Sequence, residues 1–450
     1  MACASLRIRS SFCFARRGRG VPAGVHQRPD VCFWSVMDQR LKFRARSRAR
    51  EISPGFLRRL GGCLLFISVT AAPVHAQSWS AAKSAQIDQI VAHFRELNGA
   101  DEATLPSLSL SIGIDGRLVA AKGYGSSDGK PVTGNTLYEI GSITKQFTAA
   151  AALEMIRSGA VVGHSGTKLS LATPLSAVFG DGQYWKAQPW LTVGRLLTMR
   201  SNLPNFTRRP PDGADPWQPI SDSALFHDIE TQPPSEQSDD FDYSNTNYFL
   251  LAELMEQSLQ PGQTRPQTYH DLLRRRIFEP AGMANTRFID DQQATFDPDA
   301  STLSAPISAA LKVQSATLAL PDYGRRLRPA FTHPDWLKGS ADAVSTALDL
   351  FAWDKALMDP KIVPAAVRDA MLSGQARVSP TLYYGMGWFY EEKDDSTVFS
   401  HSGSVPGYTS YNEIVRQKDG RWFCVSILSN SDQLDGLDDL ANSIGYIIGE

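Results

Sequence analysis

Strand-forming segments lie at both ends of this chain with a long helix-forming stretch between them, and that placement restricts the fold more than any other feature. Leu108, Leu110, Ile112 and Ile114 alternate with Ser and Gly, the period of a strand with one buried face. Asp115-Gly116 then offers a tight turn into residues 118–121, so a hairpin is expected. Far along the chain, residues 408–415 and 422–428 read as strands joined at Asp419-Gly420. A helix flanks each set. Ile87, Ile90, Val91, Phe94 and Leu97 recur at spacings of three or four and end at Asn98-Gly99, while Leu437, Leu440, Ala441, Ile444 and Ile448 give a closing helix. Residues from about 142 to 290 read mostly helical, with proline-rich breaks at 204–219 and 233–234. The pattern predicts an α+β fold: an antiparallel sheet flanked by helices from both chain ends, with a helical domain inserted. The sheet part is expected over about 83–140 and 335–450, and the insert over about 141–334.

Charge divides the chain differently. Residues 1–76 hold 14 Lys and Arg against 3 Asp and Glu, which leaves the remainder near −13. Nucleic-acid binding by that acidic body is excluded, because neutralising phosphates needs clustered cations. In the basic front, Arg58-Arg59 precede the apolar run 60–72, and Val74-His75-Ala76 carries small residues where a signal peptidase reads. The run is shorter than the roughly 20 residues a membrane span requires. Residues 1–76 are therefore expected to be a leader with a cleaved secretory signal, the working protein being 77–450, secreted or periplasmic, with no stable membrane anchor. Translation from Met37 would shorten that leader, and the Arg-rich stretch 40–50 has a nucleic-acid arm as its competing reading. Four of five cysteines, Cys3, Cys13, Cys32 and Cys63, fall in the front. Cys424 stands alone in an apolar run and reads as a buried strand residue.

No Gly-rich phosphate loop, paired-Cys motif or His-Glu-x-x-His is present, so neither a metal nor a cofactor is expected. What remains is nucleophilic catalysis by a Ser with a Lys three positions on, since one helical turn sets amine beside hydroxyl. The pattern occurs four times, at Ser80, Ser127, Ser142 and Ser165. Ser80 opens a surface helix, where Ser is a common cap, and Ser127 and Ser165 lie in Gly-rich turns. Only Ser142 follows a strand-like stretch and a Gly, residues 137–141, and leads into an apolar helix over 147–156. A hydroxyl there faces the positive end of the helix, and its own N–H can receive an oxyanion.

Gly141-Ser142-Ile143-Thr144-Lys145, then Tyr243-Ser244-Asn245, then His401-Ser402-Gly403 resemble the three motifs of the penicillin-recognising serine hydrolases. The Tyr-x-Asn form of the second motif is that of class C β-lactamases and related D-amino-acid peptidases and esterases. Residues 277–283, 344–350 and 384–388 extend the resemblance, which covers roughly 85–447. His164-Ser165-Gly166 also has the third motif's composition, but it precedes Tyr243 and so is out of order.

The resemblance implies a β-lactamase/transpeptidase-like fold and an acyl-enzyme mechanism on a small-molecule or peptide substrate. It makes Ser142 the nucleophile and Lys145 with Tyr243 a coupled proton-transfer pair. Asn245 would hold Lys145 and a substrate carbonyl, and the backbone N–H groups of Ser142 and Ser404 would form the oxyanion hole. His401, Ser402 and Gly403 would contact substrate. Two departures stand out. His401 replaces the Lys of the β-lactamases, which weakens the case for carboxylate-bearing drugs and favours esters and D-amino-acid amides or peptides. β-Lactams remain an alternative substrate, and slow or non-catalytic binding of peptidoglycan-like peptides an alternative function. Residues 199–202, Met-Arg-Ser-Asn, replace the usual His-Thr-Ser-Gly, with Asn202 expected to take the left-handed conformation of that Gly. Arg200 has no assigned role, and the 208–219 insert is either a substrate screen or a plain surface loop.

Overall fold

The two hairpin turns explain how the main sheet closes. Asp115 and Gly116 both take positive φ, +47° and +74°, the combination a two-residue turn needs to match strand twist. That turn joins β1 (Leu108–Ile114) to β2 (Arg117–Tyr124). The computed structural model describes residues 79–99, 105–288 and 333–449, apart from 128, 181, 217, 234, 266, 432 and 433. The leader and secretory signal expected over 1–76, and part of the insert, lie outside the described residues.

Later in the chain come β3 (Ala376–Arg377), β4 (Leu382–Tyr384), β5 (Phe389–Glu392), β6 (Ser396–Val405), β7 (Tyr408–Gln417) and β8 (Trp422–Ser429). They form one antiparallel eight-stranded sheet in the order β3-β4-β5-β6-β7-β8-β1-β2. The pairing of β1 with β8, which sets Ile112 opposite Val425, joins the two chain ends one strand in from the edge formed by β2.

One sheet face is covered by α1 (Ala81–Asn98) and the C-terminal helix Leu437–Gly449. Ser80 caps α1 by accepting from the Lys83 N–H at 3.1 Å. Ile87, Val91 and Phe94 of α1 pack with Leu437, Leu440 and Ile444 against Leu110, Ile112 and Val425. Leu97 departs from this expected face and is 72% exposed. Each residue turns a helix by about 100°, so Leu97 falls about 60° behind Phe94 and off the edge of the stripe.

The opposite face meets α2 (Thr144–Arg157) and a helix at Ala347–Met358. Phe147 and Trp353 from these two helices meet edge to face at 5.2 Å. Gln146 Oε1 accepts from Trp353 at 3.0 Å and from Asn412 of β7 at 3.3 Å, which ties α2 to the sheet. Between residues 144 and 288, the helices include α3 (Asn245–Glu256), which packs on α2. A small antiparallel sheet of Tyr138–Glu139, Ala343–Ser345 and Arg287–Phe288 links segments distant in sequence.

Candidate active site

Ser142 sits in one 3-10 turn, Gly141–Ile143, that runs directly into α2. Gly141 has φ +51°, and a Cβ there would lie 2.8 Å from the Ser404 backbone nitrogen. Gly403 is tighter still, since its Cβ would lie 1.9 Å from the Ile140 carbonyl oxygen. Two glycines thus let β6 press against the turn that carries Ser142. Ser410 Oγ donates to the same Ile140 carbonyl at 2.8 Å and fixes the contact. The neighbouring strand β5 pairs with β6 no farther than Ser400, so the turn meets β6 beyond the end of that pairing.

Lys145, one helical turn past Ser142, is completely buried. Its Nζ lies 3.0 Å from Ser142 Oγ, 2.7 Å from Asn245 Oδ1 and 2.9 Å from the Ser340 carbonyl oxygen. Burial drives the Lys145 pKa well below the ordinary lysine value, against the opposing pull of the Asp342 carboxylate. A neutral amine has two hydrogens and one lone pair. Asn245 Oδ1 and the Ser340 carbonyl can only accept, so they take both hydrogens, and the lone pair is left for the Ser142 hydroxyl.

Asn245 opens α3, and its position is set by the 199–207 segment. The Asp242 N–H donates to the Met199 carbonyl at 2.9 Å just before Tyr243, and Ser201 Oγ bonds Asn247 Oδ1. Asn202 takes φ +55°, the left-handed conformation expected of it. Met199 takes φ +56° as well, a bend that the residue type did not announce. Arg200 braces its own turn, its Nε donating to Thr198 Oγ1 at 3.0 Å.

Tyr243 and His401 stand opposite this network, their ring centroids 6.2 Å apart. Lys145 Nζ lies 4.9 Å from the Tyr243 ring centroid. The phenol is buried, and its hydrogen-bonding neighbour is Ser142, at a geometry looser than a regular hydrogen bond. Burial raises the Tyr243 pKa above its usual value, and Ser142 and Arg208 offset part of that rise. Both members of the Lys145–Tyr243 pair are therefore held toward their neutral forms. His401 is also buried, with Nδ1 2.7 Å from the Ser402 carbonyl oxygen and Nε2 unpartnered. Burial, with Lys145 nearby, pushes the His401 pKa down to about 3. Ser402 is exposed, whereas Gly403 is buried against the turn.

The structure brings together Ser142, Lys145, Tyr243, Asn245, His401 and the Ser404 backbone. Ser80 caps α1, and Ser165 bonds Thr167 in an exposed turn. Sequence reasoning missed Ser340, which contributes only a carbonyl, and Thr207, whose Oγ1 accepts from Asn245 Nδ2 at 2.9 Å. Among the described residues, Asp222, Glu253 and Glu256 form the group whose spacing could hold a metal ion. Lys338 Nζ reaches all three, at 2.7, 2.6 and 2.9 Å respectively, and occupies the place of a cation.

The Beta-lactamase family model matches residues 87–444, a span that holds every residue of this site. The chain belongs to the Beta-lactamase family. Penicillin-binding protein 4* of Bacillus subtilis (strain 168) is 26% identical over 309 residues, 68% of this chain and 63% of that protein. Protein flp of Staphylococcus aureus (strain NCTC 8325 / PS 47) is 25% identical over 337 residues, 72% of this chain and 59% of that protein. The chain thus spans about three fifths of the length of these two curated relatives. The solved octameric penicillin-binding protein homologue from Pyrococcus abyssi superposes with a TM-score of 0.63 at 24% identity, covering 82% of this chain and 78% of that one. D-amino acid amidase from Ochrobactrum anthropi SV3 gives 0.59 at 22% identity, covering 80% of this chain and 98% of that one. The fold is the β-lactamase/transpeptidase fold expected from the sequence, and the chain is similar to proteins of the β-lactamase and penicillin-binding-protein group.

Proposed function

We propose that this family member is a secreted or periplasmic hydrolase that forms an acyl-enzyme on Ser142 and acts on esters or on amides and peptides containing a D-amino acid. The observation that carries the mechanism is the environment of Lys145, in which two obligate acceptors, Asn245 Oδ1 and the Ser340 carbonyl, take both amine hydrogens and leave the lone pair for the Ser142 hydroxyl. In the first half-reaction Lys145 takes the Ser142 proton as Oγ bonds to the substrate carbonyl carbon. The backbone N–H groups of Ser142 and Ser404 stabilise the resulting oxyanion. The carbonyl reforms as the bond to the leaving group breaks, and that group departs with a proton relayed through Lys145 and Tyr243. Water then repeats the attack on the Ser142 ester and releases the acid.

His401 supports the choice of substrate. A carbonyl oxygen accepts only, so the Nδ1 that lies 2.7 Å from the Ser402 oxygen carries the hydrogen. Nε2 is then a lone-pair acceptor on an uncharged ring. Where the β-lactamases place a cation, this site offers an acceptor, which repels a substrate carboxylate and suits an N–H or O–H donor. The D-amino acid amidase among the structural neighbours accords with that class. The similarity to Penicillin-binding protein 4* keeps a β-lactam as the second reading.

A panel of nitrophenyl esters, D-amino-acid amides, a D-Ala-D-Ala peptide and a chromogenic cephalosporin, assayed with the processed protein, tests the assignment. Esters and D-amino-acid amides are expected to give the highest kcat/KM. Preference for the cephalosporin would overturn the argument from His401. Labelling by a penicillin without turnover of any substrate would favour a binding role. N-terminal sequencing of the exported protein is expected to begin just after Ala76, and retention of the chain in the cytoplasm would contradict the location.

A further inference from the structure

The orientation of Asn245 decides whether Lys145 can act as a base, and a chain of forced hydrogen bonds fixes that orientation from outside the three motifs. The chain begins at a backbone N–H, which can only donate. That of Thr207 meets the Asn205 side chain at 3.2 Å, so the Asn205 atom there is its carbonyl oxygen, Oδ1. Thr207 Oγ1 lies 2.8 Å from the same oxygen. An amide oxygen offers no hydrogen, so the Thr207 hydroxyl must give up its own, and Oγ1 is left with lone pairs alone. Asn245 meets those lone pairs at 2.9 Å and must present its NH2 there, which turns its Oδ1 toward Lys145 at 2.7 Å. At the other end of the network stands the Ser340 backbone carbonyl, which can only accept. Every bond between these two backbone groups is therefore determined in direction. Thr207 and Asn245 are buried, so water does not compete for the bond between them or for that from Lys145 to Asn245.

We propose that Thr207, oriented by Asn205, is a positioning residue for the catalytic base: it locks the Asn245 amide so that Lys145 spends both amine hydrogens on Asn245 and Ser340 and keeps its lone pair for Ser142. The inference rests on the reading of Lys145 as the base. If the Asn245 amide reversed, its NH2 would face Lys145 and compete with the Ser142 hydroxyl for that lone pair. Asn245 Oδ1 also stabilises the ammonium form, so its loss lowers the Lys145 pKa further. The ionisable groups facing Lys145 are Tyr243, Tyr248, His401 and Asp342, none of which this change touches.

The test measures the second-order rate at which a fluorophosphonate phosphonylates Ser142 with loss of fluoride from pH 4 to pH 10, a reaction that requires the base but no knowledge of the natural substrate. Thr207→Val keeps the shape and removes the acceptor. Its plateau rate is expected to fall about 10- to 100-fold, in the range of a lost buried hydrogen bond, with the acid limb moved to lower pH. Thr207→Ser, which restores the hydroxyl, is expected to recover to within about threefold of the parent. Asn205→Ala, at a partly buried loop position, should reproduce the direction of both effects without disturbing the core. A Thr207→Val enzyme with an unmoved acid limb, or a Thr207→Ser enzyme as slow as the Val variant, would overturn the proposal. Should Thr207→Val fail to fold, Asn205→Ala and Thr207→Ser still decide the matter through the same pH profile. A parent protein that is not phosphonylated at Ser142 would instead remove the base assignment itself, which separates the two failures.

Discussion

The two walls of the site are built on opposite terms. On one, Lys145 meets three partners, and Asn245 and Thr207 continue a network in which each atom has a defined role. On the other, Tyr243 Oη and His401 Nε2 are buried beside the aromatic rings of Tyr384 and Phe389 and make no hydrogen bond of regular geometry. On the mechanism proposed above, substrate supplies the partners that these two buried polar atoms lack. In that proposal the first wall prepares the nucleophile before substrate arrives, and the second is completed by substrate and selects it.

If this contrast holds, substitutions on the two walls separate rate from stability. Lys145→Met strikes the first wall and should reduce the acylation rate by about 10³- to 10⁴-fold, the upper range for loss of general-base catalysis. It should also cost about 1–3 kcal/mol of folding stability by urea titration, because Asn245 and Ser340 lose their donor. A variant that keeps a tenth of the parent rate would show that Lys145 is not the base. Tyr243→Phe strikes the second wall and should slow turnover by about 10²-fold while leaving stability unchanged or improved, since it removes an atom that makes no regular hydrogen bond. A clear loss of stability there would mean that the phenol makes a regular hydrogen bond in the free protein, and the contrast between the walls would fail.

The third effect is a pH dependence of stability. Folded His401 takes up a proton only near pH 3, whereas the ordinary histidine value is 6.5. Between those limits the unfolded chain binds more protons, so the contribution of His401 to stability is full above about pH 6.5 and is lost as the pH falls toward about 3. His401→Gln should flatten the stability-against-pH curve over that window in urea titrations. Curves of equal slope for parent and variant would place a titrating, solvated histidine at this position.

The two walls were unequally legible in the sequence. Ser142 and Lys145 stand three apart at the start of an apolar helix, and local spacing carries that contact. Tyr243, Asn245 and His401 are reached through resemblance, because nothing local states that segments a hundred or more residues apart converge. Ser340 acts through its backbone, which any residue type would provide, and Thr207 acts by sitting in a loop without periodicity, so neither left a signal. The fold divides in a similar way. The alternating residues of β1 and the Asp-Gly turns announced their strands, whereas two-residue strands such as Tyr138–Glu139 exist only by virtue of their partners.

The most direct measurement is the mass of the tryptic peptide containing Ser142 after the folded protein is incubated with a fluorophosphonate at neutral pH. A single adduct on Ser142, absent from Lys145→Met under the same conditions, is the expected result. An unmodified Ser142, or an adduct that forms equally fast without the Lys145 amine, would contradict the claim that this amine activates this hydroxyl.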